Sequence, residues 1–156
     1  MPTNHIPAGY HSVTPYLILK DAANAIEFYK RAFSASERMR FDAPGGKIGH
    51  AEIQIGDSPI MMADECPDMG FRSPQSLGGA GASVMVYVEN VDQLFDQAIA
   101  AGATVLRPVQ DQFYGDRSGT LQDPFGHVWT IATHVEDVLQ EELHRRAAEA
   151  HKRATS

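Results

Sequence analysis

The stretch PYLILKDAANAIEFYKRAF (residues 15–33) resembles VMVYVENVDQLFDQAIAAG (residues 84–102) at a constant offset of 69 positions. Each stretch starts with a short apolar run of the kind found in β-strands and continues with apolar side chains spaced three and four residues apart. This second spacing places the apolar side chains on one face of a helix. The pattern therefore predicts a strand followed by a helix in each copy, with the helices near residues 21–34 and 91–102.

The same offset continues beyond the helices. IGHAEIQIGDSPIMMAD (residues 48–64) aligns with RSGTLQDPFGHVWTIAT (residues 117–133), and both are typical of a strand, a tight turn and a second strand. Each copy leaves room for one more strand, near residues 36–43 and 104–111. Each half is thus predicted to be a βαβββ module. Two tandem modules would form curved mixed sheets around a groove, with the helices outside, which is an α+β fold.

Composition limits the classes of protein to which the chain can belong. Its 156 residues suffice for one domain with a sizeable core, and 43% hydrophobic with 21% charged residues is typical of a globular protein. The formal charge of -7 is spread along the chain, which argues against a surface for nucleic acid or acidic membrane. No apolar run approaches the ~18 residues of a membrane helix, the first residues lack a secretory signal, and the single Cys66 fits a reducing compartment. We therefore expect a cytoplasmic protein that binds neither nucleic acid nor membrane.

Three motifs carry a resemblance to a known family. They are TPYLILKDAANAIEFYKRAF (residues 14–33), GHAEIQIGDSPIMMADE (residues 49–65) and YGDRSGTLQDPFGHVWTIATHVED (residues 114–137). Together with the duplicated βαβββ pattern, they resemble the vicinal oxygen chelate superfamily, which includes glyoxalase I, extradiol dioxygenases and the bleomycin and fosfomycin resistance proteins. More narrowly, the chain is similar to the PhnB-like branch. The resemblance implies a glyoxalase-like fold, whose function depends on the residues of its groove.

The resemblance also implies an organisation of the chain. We expect residues 10–137 to form a single glyoxalase-like domain made of two repeats, at about 12–65 and 81–134. Residues 138–156 lie beyond the repeat, and we expect them to form a C-terminal helical extension or tail that frays toward Ser156. Modules of this superfamily pair within one chain or across two chains, and exposed sheet edges favour pairing, so we expect a homodimer.

The resemblance further implies where a metal would bind. In metal-dependent relatives the ligands come from the first and last strands of each half, and the corresponding positions here are Thr14, Met61, Ser83 and Thr130. None of them is His, Glu, Asp or Cys, although a catalytic divalent ion takes about three such ligands from the protein. We therefore expect no metal and no other cofactor, and we treat these four residues as candidate ligand-binding positions. Strands displaced by two residues would leave one exception, a metal site built around His50.

A polar face on the predicted strand GHAEIQIG supplies the catalytic candidates. His50, Glu52 and Gln54 alternate with apolar residues and therefore share one side of the strand. One interpretation is a solvated face opposite an apolar core, which is common in antiparallel sheets. The other is a groove lining, where a histidine can titrate near neutral pH and act as an acid or base. We take His50 and Glu52 as candidate catalytic residues and Gln54 as a candidate ligand-binding residue.

The start of the second hairpin offers a candidate ligand wall. Tyr114, Asp116 and Arg117 stand at the entrance of its first strand, where Arg117 could present a bidentate fork to an anionic ligand. The alternative is that Arg117 pairs with a nearby carboxylate and only holds the loop. In the same hairpin, the segment DPFG (residues 123–126) has turn chemistry, and Trp129 is predicted to pack in the core under the helices.

Two classes of function remain open. The first is a small-molecule-binding protein that lacks the usual divalent-metal site and binds or sequesters a small polar ligand in the groove, as the bleomycin-resistance relatives do. The alternative is a glyoxalase-like lyase or isomerase, or a dioxygenase-type enzyme, which is either metal-dependent through a shifted site at His50 and Glu52 or metal-free. The missing metal ligands favour the first class, and the sequence names no substrate.

Overall fold

The computed structural model describes residues 2–155, which form the two βαβββ halves that the repeat predicts. The elements of the first half are, in chain order, β1 (Tyr16–Leu19), α1 (Ala22–Phe33), β2 (Ser36–Ala43), β3 (Lys47–Ile55) and β4 (Ser58–Asp64). The short helix α2 (Pro74–Leu77) lies between the halves. The elements of the second half are β5 (Ser83–Tyr87), α3 (Val91–Ala101), β6 (Thr104–Asp111), β7 (Asp116–Gln122) and β8 (Val128–His134), and they are followed by α4 (Gln140–Thr155).

Each half builds one four-stranded mixed sheet. The strand orders are β1-β4-β3-β2 and β5-β8-β7-β6. In each sheet the first strand runs parallel to its neighbour, and the other pairs are antiparallel. Tyr16 lies opposite Met61 in the first sheet and Met85 opposite Thr130 in the second, so these strands keep the offset of 69 positions. The predicted α+β class with two mixed sheets is confirmed.

The two hairpins differ by one residue in their turns. Ile55 pairs with Ser58 across two residues in the first hairpin. In the second hairpin the N–H of Asp123 donates to the His127 carbonyl at 2.9 Å, which leaves three residues in the turn. Consequently β3 corresponds to β7 at an offset of 68, although β4 and β8 keep the offset of 69. The predicted overlay of the two hairpins is therefore wrong by one position in its first strand.

A side chain from the last strand of each half holds the start of the helix. Asp64 accepts a hydrogen bond from the N–H of Ala22 at 2.9 Å, and Thr133 accepts one from the N–H of Val91 at 2.9 Å. The N–H groups of a first helical turn have no partner within the helix, so these contacts satisfy a donor in each half. They also fix each helix over its own sheet.

The core lies between the two sheets and the helices α1 and α3, which pack against each other. Its largest fully buried side chains include Trp129, Tyr29 and Phe28. The Trp129 ring lies 4.6 Å from the ring of Phe33 and 5.3 Å from that of Tyr29, which are favourable distances for aromatic packing. Trp129 is therefore a core residue, as predicted.

A buried carboxylate joins the second hairpin to the first helix. Asp123 is only 3% exposed, and one of its oxygens accepts hydrogen bonds from the Tyr29 hydroxyl at 2.6 Å and from Trp129 Nε1 at 2.9 Å. The other oxygen accepts from the N–H groups of Phe125 at 2.9 Å and His127 at 3.0 Å. Burial beside this carboxylate raises the pKa of Tyr29, so its hydroxyl remains a donor. Asp123 thus shapes its own turn and at the same time connects the two halves.

The C-terminal segment forms a regular helix that continues to Thr155. Arg146 attaches this helix to the second half by donating to the Glu136 carboxylate at 2.9 Å and to the Phe113 carbonyl at 3.1 Å. The helix is thus longer than the sequence indicated, and Arg146 in its second turn attaches it to the second half. Ser156, where fraying was predicted, lies outside the described residues.

Replacing Asp123 tests its role as the link between the halves. Asp123→Asn should lower the free energy of unfolding by about 2 kcal/mol, because an amide has one acceptor oxygen and its NH₂ would face other donors. Tyr29→Phe removes one donor only and should lower it by about 1 kcal/mol. Chemical denaturation of both variants measures these differences. A variant Asp123→Asn as stable as the wild type would contradict the assignment.

Candidate functional site

The side of the first sheet that faces away from the helices carries polar residues. Ala51 and Ile53 of β3 are fully buried in the core, so His50, Glu52 and Gln54 point to the opposite side. We refer to this side as the groove side. Glu52 is only 4% exposed, whereas His50 and Gln54 are half-buried. These three polar side chains therefore share one face, and one of them is a buried acid.

Three side chains on the groove side form a hydrogen-bonded chain, which we call the polar row. The Tyr16 hydroxyl lies 2.8 Å from Nδ1 of His50, and Nε2 of His50 lies 2.9 Å from a carboxylate oxygen of Glu52. Tyr16 belongs to β1 and reaches across the intervening strand β4 to β3, where the other two lie. The ring of Phe41 lies nearly parallel to that of His50, with 6.3 Å between the ring centroids. The imidazole is thus held in one orientation by three neighbours.

The partners in the polar row determine where the protons lie. An ionised Glu52 can only accept, so the adjacent Nε2 of His50 carries a proton. In a neutral His50, Nδ1 is then an acceptor, and the Tyr16 hydroxyl donates to it. Burial raises the pKa of Tyr16, which keeps that hydroxyl protonated. The row therefore aligns a hydroxyl, a base and a carboxylate, an order that suits either ligand binding or proton transfer.

One oxygen of Glu52 has no protein partner. Its Oε2 accepts from His50, but no group of the described residues 2–155 donates to its buried Oε1. Most buried polar atoms in proteins are hydrogen-bonded, and leaving one unpaired destabilises the fold by about 1–3 kcal/mol. Oε1 is therefore a buried acceptor that lacks a donor among these residues.

The equivalent position in the second half is satisfied within the protein. At the offset of 68, Glu52 corresponds to Thr120, whose hydroxyl lies 2.9 Å from the hydroxyl of Thr130 on the neighbouring strand. Glu52 lies instead opposite Met61, whose thioether has no hydrogen to donate. The first half thus places a buried acid where the second half has a paired hydroxyl, and this contrast distinguishes the groove side of the first sheet.

The four positions that correspond to metal ligands do not fit a divalent ion. Met61 and Thr130 are half-buried on the last strands of their halves, Ser83 begins β5, and Thr14 precedes β1. Their donor atoms are three hydroxyl oxygens and a thioether sulfur, and Thr130 already bonds Thr120. Within residues 2–155, no group of three or more His, Cys, Asp and Glu side chains is arranged to hold a metal. A metal site displaced to the polar row would have only two such ligands, His50 and Glu52.

Arg117 lies on the helix side of its strand, away from the groove. Its guanidinium donates to both carboxylate oxygens of Asp92 on α3, at 2.8 and 2.9 Å, and to Asp111 at 3.2 Å. Hydrogen bonding to Asp92, and then to Asp111, raises the pKa of Arg117. The expectation that Arg117 guards the groove is thus not met, and the alternative of a local ion pair describes its geometry. Tyr114 lies in the turn before β7, with its ring against that of Phe113.

Asp116 belongs to a second polar cluster, at the end of the second sheet. One carboxylate oxygen accepts from the Tyr87 hydroxyl at 2.8 Å, and the other lies 2.8 Å from Nδ1 of His134. His134 also contacts Asp137 through Nε2 at 2.7 Å. Hydrogen bonding to Asp116, and then to Asp137, raises the pKa of His134. Unlike Glu52, Asp116 has a protein partner for each oxygen. The hydrogen bonds of the Asp116 cluster are therefore satisfied within the protein, as expected for a structural cluster.

Two concave spaces adjoin Tyr16. The inter-half cleft, of about 530 Å³, runs between the edges of β1 and β5 and is walled by residues 79–85. A smaller pocket of about 290 Å³ lies beside the first sheet and includes Lys47 and the half-buried free thiol of Cys66. Tyr16 is therefore the residue that connects the polar row to both spaces.

Several of these residues carry no marked signal in the sequence. Tyr16 could have been assigned to the groove side, because it alternates with the buried Leu17 in β1. Its contact with His50, however, depends on the strand order, which the sequence does not give. The pairing of Asp116 with His134 likewise depends on the register of β7 against β8. Arg72, which lines the inter-half cleft, stands in a linker without periodicity.

The raised pKa of His134 predicts a pH dependence of stability. The folded-state pKa exceeds the unfolded one, so the contribution of protonated His134 is complete below the unfolded value of about 6.5 and is lost as the pH rises through the folded value. The wild type should therefore melt at a higher temperature than His134→Asn at low pH, and this difference should decrease as the pH rises through the folded-state pKa of His134. Asp116→Asn should lower the pKa of His134, measured by NMR titration, more than Asp137→Asn does. A folded-state pKa at or below the ordinary value would refute this account.

Comparison with known proteins agrees with this fold. The family model described as the Glyoxalase/Bleomycin resistance protein/Dioxygenase superfamily matches residues 9–131. The uncharacterized protein Rv0887c of Mycobacterium tuberculosis H37Rv is 42% identical over 135 residues, which is 85% of this chain and 79% of the relative.

Two solved structures extend the comparison. TioX from Micromonospora sp. ML1 has a TM-score of 0.62 and 27% identity, covering 83% of this chain and all of its own (100%). A PhnB protein from Bacillus cereus shares the fold at a TM-score of 0.60 and 21% identity, over 79% of this chain and 99% of its own. Because the family model spans both βαβββ halves, the chain belongs to the glyoxalase/bleomycin resistance protein/dioxygenase superfamily.

Proposed function

We propose that this protein binds or sequesters a small polar molecule on the groove side of its first sheet, at the polar row, without a divalent metal. The ligand donates a hydrogen bond to Oε1 of Glu52 and contacts His50 and Tyr16. Gln54, on the same strand, is a further candidate contact. The proposal suits a superfamily that includes bleomycin resistance proteins.

The unpaired Oε1 of Glu52 is the observation that carries this proposal. A buried carboxylate with one unsatisfied oxygen destabilises a fold more than an apolar side chain of the same size would. The second half avoids this cost with Thr120, which bonds its neighbour. Retaining an acid in the first half is therefore best explained by an interaction that only the bound state makes.

A second candidate function is metal-free acid–base catalysis, and the order of the polar row favours it. Glu52 fixes the tautomer and orientation of His50, so that Nδ1 is the basic atom, and the Tyr16 hydroxyl lies 2.8 Å from it. Such an arrangement could move a proton to or from a bound substrate, as a glyoxalase-like lyase or isomerase requires. His50→Gln separates the two functions, since it should abolish turnover and retain most of the binding if catalysis is the role.

We further infer that the protein acts in the cytoplasm and binds neither nucleic acid nor membrane. The acidic net charge of -7 and the free Cys66 support this inference. None of the helices in the described part of the chain is long and apolar enough to cross a membrane.

Replacing Glu52 with an apolar residue tests the proposal. In Glu52→Met we expect stabilisation by ligand to be lost while the melting temperature changes little, because removal of the buried unpaired oxygen offsets loss of the contact with His50. The measurement is a thermal-shift screen of the wild type with small molecules bearing hydroxyl or ammonium donors, repeated on the variant with each hit.

The matched control is Thr120→Val at the equivalent position of the second half. This variant loses a hydroxyl that has a partner, so its melting temperature should fall while the response to ligand persists. If Glu52→Met instead destabilised the protein as strongly as Thr120→Val and kept every ligand response, Glu52 would be a structural residue and the proposal would fail.

We propose in addition that the protein is a homodimer. The outer strands β2 and β6 are open edges, and β6 exposes large apolar side chains such as Val105 and Leu106. Analytical ultracentrifugation should give twice the monomer mass at micromolar concentration, and Leu106→Glu should shift the protein toward monomer. Leu139→Glu, at an apolar residue that is 81% exposed outside the sheets, should leave the mass unchanged. Sedimentation of the wild type as a monomer would contradict the proposal.

A further inference from the structure

The inter-half cleft has a predominantly apolar wall. The edges of β1 and β5 contribute Leu17 and Val84, β8 contributes Val128, and the linker contributes Pro74 and Leu77. Its volume of about 530 Å³ falls within the range of ~300–1,000 Å³ that is usual for pockets of small organic ligands. An occupant of matching chemistry would have an apolar body.

One cation on this wall has no counter-ion. Arg72 lines the cleft, and no carboxylate among residues 2–155 forms an ion pair or a hydrogen bond with it. Two other arginines are neutralised locally, since Arg117 binds two aspartates and Arg146 binds two glutamates. Acidic residues outnumber basic ones by 20 to 13, yet Arg72, like Arg107, has no carboxylate partner among the described residues, and of these two only Arg72 lines the cleft. Its guanidinium fork matches the geometry of an anionic oxygen group.

A second polar group on the wall is the ring of His127. Its Nε2 lies 3.0 Å from the carbonyl of Ile18, which can only accept, so Nε2 carries the proton. In the neutral ring Nδ1 is then left as an acceptor on a residue that lines the cleft. Together, Arg72 and His127 give the apolar cleft one anion-binding group and one acceptor.

We propose that the inter-half cleft binds a small organic acid with an apolar body, whose carboxylate or similar anionic group is held by Arg72. The proposal rests on the proposed function and deepens it, because Tyr16 belongs both to this cleft and to the polar row. It names the class of ligand: an amphipathic acid whose apolar part lies between β1 and β5. Arg72 also takes the role of anion contact that Arg117 cannot fill, since Arg117 is bound to Asp92 and Asp111.

Two fluorescent probes that differ only by a sulfonate group test this inference. 1-Anilinonaphthalene-8-sulfonate carries a sulfonate, and N-phenyl-1-naphthylamine is the same molecule without it. Fluorescence titration of the protein gives a dissociation constant for each probe. In Arg72→Met, which keeps an unbranched apolar side chain and removes the guanidinium charge, we expect binding of the sulfonate to weaken about tenfold and binding of the neutral probe to change little.

The control variant is Arg107→Met. Arg107 is exposed, forms no ion pair with any described residue and lines none of the spaces described above, so this variant should bind both probes like the wild type. Ala82→Trp, which places a large side chain on the wall of the cleft, should weaken binding of both probes. Unchanged sulfonate binding in Arg72→Met, or unchanged binding of both probes in Ala82→Trp, would overturn the inference. An equal loss of both probes in Arg72→Met would overturn it too, since charge would not be the cause.

The outcomes also separate this inference from the proposed function. If Arg72→Met leaves sulfonate binding unchanged while Glu52→Met abolishes the response to polar ligands, the class of ligand is wrong and the polar row is still the binding site. If Arg72→Met weakens the sulfonate alone while Glu52→Met keeps every ligand response, the cleft is the binding site and the role of Glu52 is refuted.

Discussion

The carboxylate of Asp123 makes the contact on which the rest of the structure depends. Its four hydrogen bonds join the turn of the second hairpin to Tyr29 on the first helix, so it fixes one half against the other. With that turn held in place, His127 reaches the Ile18 carbonyl, and the edge of β1 comes to lie beside the edge of β5. The inter-half cleft, and the place of Tyr16 on its wall, both follow from this one buried group.

The two halves share the same βαβββ fold and differ in the polar side chains at equivalent positions. At the starts of the helices, Asp64 and Thr133 perform the same task with a carboxylate and a hydroxyl. On the groove side one half again has a carboxylate where the other has a hydroxyl, but the two are not equally satisfied. Thr120 has a hydrogen-bond partner, whereas Glu52 retains an unpaired oxygen. Comparison of the two repeats therefore identifies Glu52 as unusual, since Thr120 shows how a residue at the equivalent position can be hydrogen-bonded within the protein.

Much of this fold follows from periodicity, and the contacts of the site follow from register and strand order. Alternation correctly placed His50 and Glu52 on one face, and the offset between copies predicted the elements of both halves. Arg117 was misplaced because adjacent residues of a strand point to opposite faces, so it could not share a wall with Asp116. The link between Tyr16 and His50 was out of reach, because it spans three strands that are not consecutive in the chain.

The longer turn of the second hairpin has a consequence for any attempt to exchange parts of the two halves. Removing one of the three residues between Asp123 and His127 would leave a two-residue turn like the one between Ile55 and Ser58, and the equivalent strands of the first half keep the same register across that shorter turn. Leu121 would then stay buried, whereas the contacts of Asp123 with the N–H groups of Phe125 and His127 depend on the longer turn. A chimera that moved a hairpin from one half to the other would therefore keep the faces of its strands and would lose or gain the link that Asp123 makes between the halves.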